Sequence, residues 1–189
     1  MLGSKRGCLP SLRAILVTVP YVVLVLVLVH RIVGPHLWRV RLVAARFFWR
    51  FPQQFVPTPA RVLPPPDSEF VGVWDQPPAV VRKRLTEDHE FKQLFRAYLH
   101  AYERGDRTVY EVASCAYRPD GVTGKWQLHV RLFPAGDGRT DVWAHWELNP
   151  TVAPVAHLKR EGYDPQRGER ALRALLQTDL WDDHDWHPS

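Results

Sequence analysis

Acidic residues are absent from the first 66 positions of the chain. This part contains nine Lys or Arg residues and no Asp or Glu, so it carries a charge of +9. From residue 67 onward the chain holds all 20 acidic residues against 16 basic ones, a net charge of −4. The positive charge flanks an apolar run instead of forming a basic face on a folded domain, and we therefore expect no nucleic acid partner.

Cysteine is also scarce, with two residues in 189. Cys8 and Cys115 flank the apolar run described below, and we expect no disulfide between them. The sequence has no glycine-rich phosphate-binding motif, no Gly-x-Ser-x-Gly turn and no Cys-x-x-Cys pair. Without these motifs the sequence indicates no enzyme class. We therefore predict no cofactor and favour a non-enzymatic protein.

Residues 14–29 are an apolar run without a charged side chain. With its flanks, the run extends over residues 12–33, which is long enough for a single transmembrane helix after a basic tail, residues 1–11. A cleaved signal peptide is the alternative, but no small-x-small cleavage pattern follows the run. The sequence thus predicts a single-pass protein with the lipid bilayer as a partner.

A basic, aromatic segment covers residues 37–51. At helical spacing its arginines gather on one side and its aromatic rings on the other, as in a helix that lies in the membrane interface. The predicted membrane-surface residues are Arg39, Arg46, Phe47, Phe48, Arg50 and Phe51. The alternative is a helix of the folded domain with solvated arginines.

Six prolines fall in residues 52–66, which predicts an extended linker. More basic residues follow the apolar run than precede it, and by the positive-inside rule this favours a cytoplasmic domain. The opposite orientation stays open, because the difference in charge is small.

Residues 67–180 have the composition of one small domain, followed by a flexible tail, residues 181–189. Patterns predict a strand at 70–74, a short helix near 80–85, a helix over 91–102 with an apolar stripe, three strands between turn-rich clusters, and a helix near 165–177. The predicted fold class is α+β. An antiparallel three- to four-stranded meander packs against helices on one face.

The alternation of apolar and polar residues in two of these strands predicts which side chains face the core. In residues 125–132 and 141–148 the even positions are apolar and the odd positions mainly polar, so the even side chains should face the core. Complementary charge favours a register with Arg131 opposite Asp141, Lys125 opposite Glu147 and Glu111 opposite Arg131.

The odd positions form the candidate site. His129, Trp143, His145 and Glu147 should share an outward face, where an exposed Trp favours contact with a partner such as another membrane protein. The preferred function is a non-enzymatic, membrane-tethered interaction module. The alternatives are a metal-dependent enzyme that uses His129, His145 and Glu147, and an accessory subunit of a larger membrane complex.

Overall fold

The computed structural model describes residues 39–40, 42–56, 61–94 and 98–176. Chain contacts divide the protein into two compact units, Met1–Arg41 and Leu42–Ser189. Of the first unit only Arg39 and Val40 are described, and both are helical. The predicted basic tail 1–11, the predicted transmembrane segment 12–33 and the tail 181–189 lie outside the described residues.

Most of the second unit is built on a five-stranded antiparallel sheet. Its strands are β2 (Phe70–Trp74), β3 (Lys92–Gln93), β6 (Ala113–Tyr117), β7 (Trp126–Gly136) and β8 (Arg139–Leu148). They lie side by side in the order β2-β8-β7-β6-β3. The long hairpin of β7 and β8 therefore occupies the middle of the sheet, where each strand has a neighbour on both sides.

Helices cover one face of this sheet, called here the apolar face. Helix α2 (Pro78–Glu87) contributes Val81 and Leu85, and helix α4 (Pro165–Leu176) contributes Leu172 and Leu176. These side chains pack on the apolar positions of β7 and β8, namely Leu128, Val130, Leu132, Val142, Ala144 and Trp146. The predicted core face and the predicted C-terminal helix are confirmed.

Local sequence explains how α4 begins. Pro165 occupies the first turn, where its missing N–H removes no helical hydrogen bond. The Arg167 backbone N–H donates to Asp164 Oδ1 at 2.8 Å, so Asp164 caps the helix. A five-residue helix, α3 (Pro154–Leu158), lies in the connection from β8 to α4.

A second, three-stranded sheet was not predicted. It consists of β1 (Val62–Leu63), β4 (Leu99–Arg104) and β5 (Arg107–Tyr110), in the order β1-β4-β5. Strand β1 comes from the predicted linker 52–66, so this part of the proline-rich segment is folded. Gln53–Phe55 forms a 3₁₀ turn before it.

The predicted helix over residues 91–102 is wrong. Its described residues include β3 and the start of β4, and β4 turns into β5 through Gly105 with a φ of 59°. A glycine after an apolar stripe is typical of a helix end, but a left-handed glycine serves a two-residue hairpin equally well. The aromatic residues of this segment suit a strand as well as a helix, and pairing with a neighbouring strand decided the outcome.

Helix α1 (residues 42–48) belongs to the predicted interfacial segment, and it packs on the small sheet. Ala45 is fully buried, the Trp49 ring lies 6.3 Å from that of Tyr110, and Trp49 Nε1 donates to Glu103. Arg46 lies over the Tyr110 ring. The exposed side chains of this segment include the apolar Val43, Phe47, Phe51 and Phe55 as well as Arg46 and Arg50.

The predicted fold class needs correction. The α+β architecture holds, but the strands form two sheets and not one meander, because segments distant in sequence pair with β4. Among the described residues no helix is long and apolar enough to cross a membrane. The prediction of a single-pass membrane protein is therefore not supported.

The predicted register of β7 and β8 is wrong by two residues. Arg131 lies opposite Trp143, Gln127 opposite Glu147, and His129 opposite His145. The turn lies later in the chain than the predicted register requires, at Asp137 and Gly138, because β7 continues through Pro134 and shifts register before Gly136. A shift of two residues keeps every side chain on its predicted face. The β6 register also differs, with Ser114 opposite Arg131.

Gly168 allows α4 to lie close against the sheet. A Cβ atom at this position would overlap the backbone of His145 on β8. Any larger residue would therefore push α4 away from the strand that carries two candidate site residues.

We expect Gly168→Ala to lower the free energy of unfolding by about 1–3 kcal/mol, because the helix and strand would have to separate. Urea denaturation of the full chain measures this. Arg170→Ala, an exposed change in the same helix, should have an effect within about 0.5 kcal/mol. Equal effects of the two variants would contradict the close packing.

Candidate metal centre

The face of the large sheet opposite the apolar core, called here the polar face, is buried and not solvated. Its side chains on β7 and β8 are Gln127, His129, Arg131, Phe133, Asp141, Trp143, His145 and Glu147, all buried. Segments distant in sequence contact this face. Tyr102 of β4 bonds to Asp141, Glu69 bonds to Arg131, and Tyr163 bonds to Glu69. The expectation of an outward, exposed face is wrong for this reason.

His129, His145 and Glu147 converge at the centre of the polar face. One ligand atom from each of the three lies within 4.8 Å of the others. His129 Nδ1 lies 3.3 Å from Glu147 Oε1, and His145 Nε2 lies 3.0 Å from Glu147 Oε2. The side chain of His145 is only 1% exposed. Pairing of His129 with His145 across the strands creates this cluster, and Glu147 lies two residues further along β8 on the same face.

Each of the three side chains also contacts a polar residue outside the cluster. Ser114 Oγ lies 2.7 Å from His129 Nε2, and Gln127 Nε2 donates to Glu147 Oε1 at 2.6 Å. Glu69 Oε2 lies 3.2 Å from His145 Nδ1. Such partners orient imidazole and carboxylate groups, and a carboxylate behind a histidine is typical of metal ligands.

Glu69 reaches the cluster from the 3₁₀ turn Asp67–Glu69, just before β2. It pairs with Arg131, whose Nη1 also lies 3.3 Å from His145 Nδ1. His145 can carry its ring proton on Nε2, which then donates to Glu147, or on Nδ1, which then donates to Glu69. When Nδ1–H donates to Glu69, the lone pair of Nε2 is directed toward the centre of the cluster, as a metal ligand requires.

Buried carboxylates outnumber buried Lys and Arg side chains among the described residues. Glu69, Glu111, Asp141 and Glu147 are buried, whereas Arg131 is the one buried Lys or Arg among the described residues. Arg131 pairs with Glu69, and the partly exposed Arg104 pairs with Asp141. Among the described residues Glu147 has imidazoles and the Gln127 amide as its polar partners. Burying a carboxylate without a cation is costly, so the centre favours additional positive charge.

The protonation of the cluster suits a cation. Burial, together with Arg131, lowers the pKa of His129 to about 4, so this imidazole is neutral at pH 7. Burial raises the pKa of Glu147, but the hydrogen bonds from His129 and His145 outweigh burial and hold it well below the usual range. A neutral imidazole beside an ionised carboxylate is the protonation state that a bound metal requires.

A second group of side chains surrounds Trp143. Its ring lies 4.8 Å from that of Phe70, 4.7 Å from Phe133 and 5.1 Å from Tyr102. Trp143 is therefore a packing residue beneath β4 and does not provide an exposed contact surface. A partner cannot touch Trp143 or the histidine cluster directly in this structure, and their predicted role in partner binding stays a prediction.

The predicted membrane-surface residues fall outside this centre. Of Arg39, Arg46, Phe47, Phe48, Arg50 and Phe51, those of α1 and the following turn lie by the small sheet, and their predicted role is not tested. Cys115 is buried in the apolar core, and burial raises the pKa of its thiol to about 12.

Sequence reasoning missed four residues at the centre, namely Glu69, Ser114, His157 and Tyr163. Each comes from a segment with no pattern that links it to this face of β7 and β8. For Ser114 the predicted register was misleading, because Glu111 opposite Arg131 places Ser114 opposite Leu128, on the core face. Glu69 had no signal, since it is separated from Arg131 by 62 positions.

Comparison with known proteins gives no relative. No family model matches the chain, and no curated protein and no solved structure does so.

We expect the metal-free protein to lose stability on acidification in two steps. The pKa of His129 is about 4 in the folded state against 6.5 for the ordinary group. Between these values the unfolded chain binds more protons, so the free energy of unfolding falls as the pH falls from about 6.5 to 4. Burial raises the pKa of Glu69, but His145 and Arg131 outweigh it and lower this pKa to about 2, which predicts a second loss below about pH 4.5.

Urea denaturation at several pH values, with a chelator present, measures both steps. The first step should be about 3 kcal/mol for His129. It should be smaller in His129→Gln, which has no imidazole to protonate. A free energy of unfolding that is constant from pH 6.5 to 4, or an unchanged slope in the variant, would contradict the assignment.

Proposed function

We propose that this chain is a metal-binding protein whose α+β domain holds one divalent transition-metal ion, with zinc the best fit. The ligands are His129 from β7 and His145 and Glu147 from β8. The observation that carries the proposal is the combination of three converging ligands with a separate orienting partner behind each one.

The spacing of the ligand atoms supports this proposal. Zinc binds imidazole nitrogen and carboxylate oxygen at about 2.0–2.2 Å, so neighbouring ligand atoms of a tetrahedral site lie about 3.3 Å apart. The two imidazole-to-Glu147 distances are 3.3 Å to Oε1 and 3.0 Å to Oε2, and one ligand atom from each of the three residues lies within 4.8 Å of the others. Binding of the ion would therefore require side-chain rotations that bring the more widely spaced ligand atoms together.

The donor set also indicates which metals fit. Imidazole nitrogen suits zinc, nickel, copper and iron, whereas magnesium and calcium prefer oxygen ligands in greater number. Two imidazoles and one carboxylate therefore favour zinc over magnesium.

A bound ion would supply the positive charge that the polar face lacks. It would also connect β7 and β8 and, through Glu69, the turn that precedes β2. Because the ion would bind the folded chain, binding would raise stability.

We expect zinc to stabilise the full chain against unfolding. At a free zinc concentration 100 times Kd the gain should be about 2.7 kcal/mol. For a chain of this size the gain raises Tm by about 5–11 °C. Thermal unfolding with zinc, with magnesium and with a chelator measures the effect, and magnesium should give no rise.

His145→Gln should abolish the zinc-dependent rise, because it removes a ligand. His100→Gln is the matched control, since His100 is also buried and pairs with Glu111, a carboxylate that is not one of the proposed ligands. The control should keep the zinc-dependent rise even if it lowers the basal Tm. An equal zinc response in His145→Gln and in the wild type would overturn the proposal, as would no response in the wild type.

Glu69→Gln tests the orienting carboxylate. We expect zinc affinity to fall about 10–100-fold without being lost, the usual effect of removing a carboxylate that supports a metal-bound histidine. Isothermal titration calorimetry measures this. Glu87→Gln, an exposed change on α2, should leave the affinity unchanged.

A further inference from the structure

A third imidazole lies beside Glu147. His157 belongs to α3 in the connection between β8 and α4, and its Nδ1 lies 3.4 Å from Glu147 Oε2. This is again close to the spacing of about 3.3 Å between neighbouring ligands of a tetrahedral zinc ion. Glu147 is thus surrounded by ring nitrogens of His129, His145 and His157 at 3.3, 3.0 and 3.4 Å.

His157 differs from the other two histidines in its exposure. Its side chain is 28% exposed, against 6% for His129 and 1% for His145. It therefore lies on the solvent side of the centre. The other ligands belong to the middle strands of the large sheet.

The attachment of His157 allows movement. Its Nδ1 lies 2.8 Å from the Leu148 carbonyl oxygen, within hydrogen-bond distance. Helix α3 has no buried residue, and Val155 and Leu158 are exposed. Rotation of the ring toward Glu147 would give up that one hydrogen bond.

We propose that His157 is the fourth ligand and closes the metal centre, so that the bound ion has four protein ligands and no open position. This inference rests on the proposed function. On coordination, the Nδ1 lone pair replaces the contact with the Leu148 carbonyl, and Nε2 carries the ring proton.

The number of protein ligands indicates the role of the metal. Sites with three protein ligands keep a position for water or substrate, whereas sites with four are structural. A metal closed by His157 would hold the connection between β8 and α4 onto the sheet. The ion would thus be a structural clamp that carries out no hydrolysis.

Cobalt substitution of the full chain tests the fourth ligand, because the visible absorption of Co²⁺ responds to its coordination. In the wild type, added imidazole should leave the spectrum unchanged, since no position is open. In His157→Ala the affinity for Co²⁺ should fall at least tenfold, because removal of even an orienting partner costs this much. Added imidazole should then change the variant's spectrum and restore one like that of the wild type.

Lys159→Ala, an exposed change next to the same helix, is the control and should behave as the wild type. A wild-type spectrum that already responds to imidazole, with unchanged affinity in His157→Ala, would overturn the fourth ligand and leave the three-ligand site intact. The absence of any Co²⁺ spectrum in the wild type would overturn both proposals. Near-ultraviolet circular dichroism of each variant shows whether it remains folded.

Discussion

The pairing of β7 with β8 determines the chemistry of this domain. It places His129 directly opposite His145 and brings Glu147 onto the same face. Because side chains alternate along a strand, a slip of one residue would send all three into the apolar core. The apolar positions of the same strands, packed by α2 and α4, oppose such a slip. The hydrophobic pattern that builds the core thus also fixes the polar centre.

The second sheet and the turn that carries Glu69 make this centre different from an ordinary solvated face. They bury carboxylates that would otherwise be hydrated, and each then requires a donor or a cation nearby. Arg131 meets this need at Glu69, and Arg104 meets it at Asp141. At Glu147 the imidazoles provide part of this stabilisation, and a divalent ion would provide the rest.

Local patterns predicted the elements that are amphipathic or capped in sequence. The strand at Phe70–Trp74, the helix that starts at Pro165, and the inward side of β7 and β8 were all predicted from spacing. The predicted helix over residues 91–102 was wrong. Its aromatic residues fit both the repeat of a helix and the alternation of a strand, and pairing with neighbouring strands favours the strand. Of the centre, His129, His145 and Glu147 were identified from alternation, but their burial was not. Burial depends on Glu69, Tyr102 and Tyr163, whose positions follow from tertiary contacts and from no local signal.

The close approach of α4 to β8 has a consequence for recognising distant relatives. Only a residue without a side chain fits where Gly168 faces the His145 backbone. The cap at Asp164 and the proline after it place that glycine on the correct side of the helix. A chain with this architecture should therefore carry Asp-Pro-x-x-Gly after this strand, and one that also keeps the proposed metal centre should carry His-x-Glu at the end of the strand. This paired signature can be searched for even where overall sequence identity has vanished.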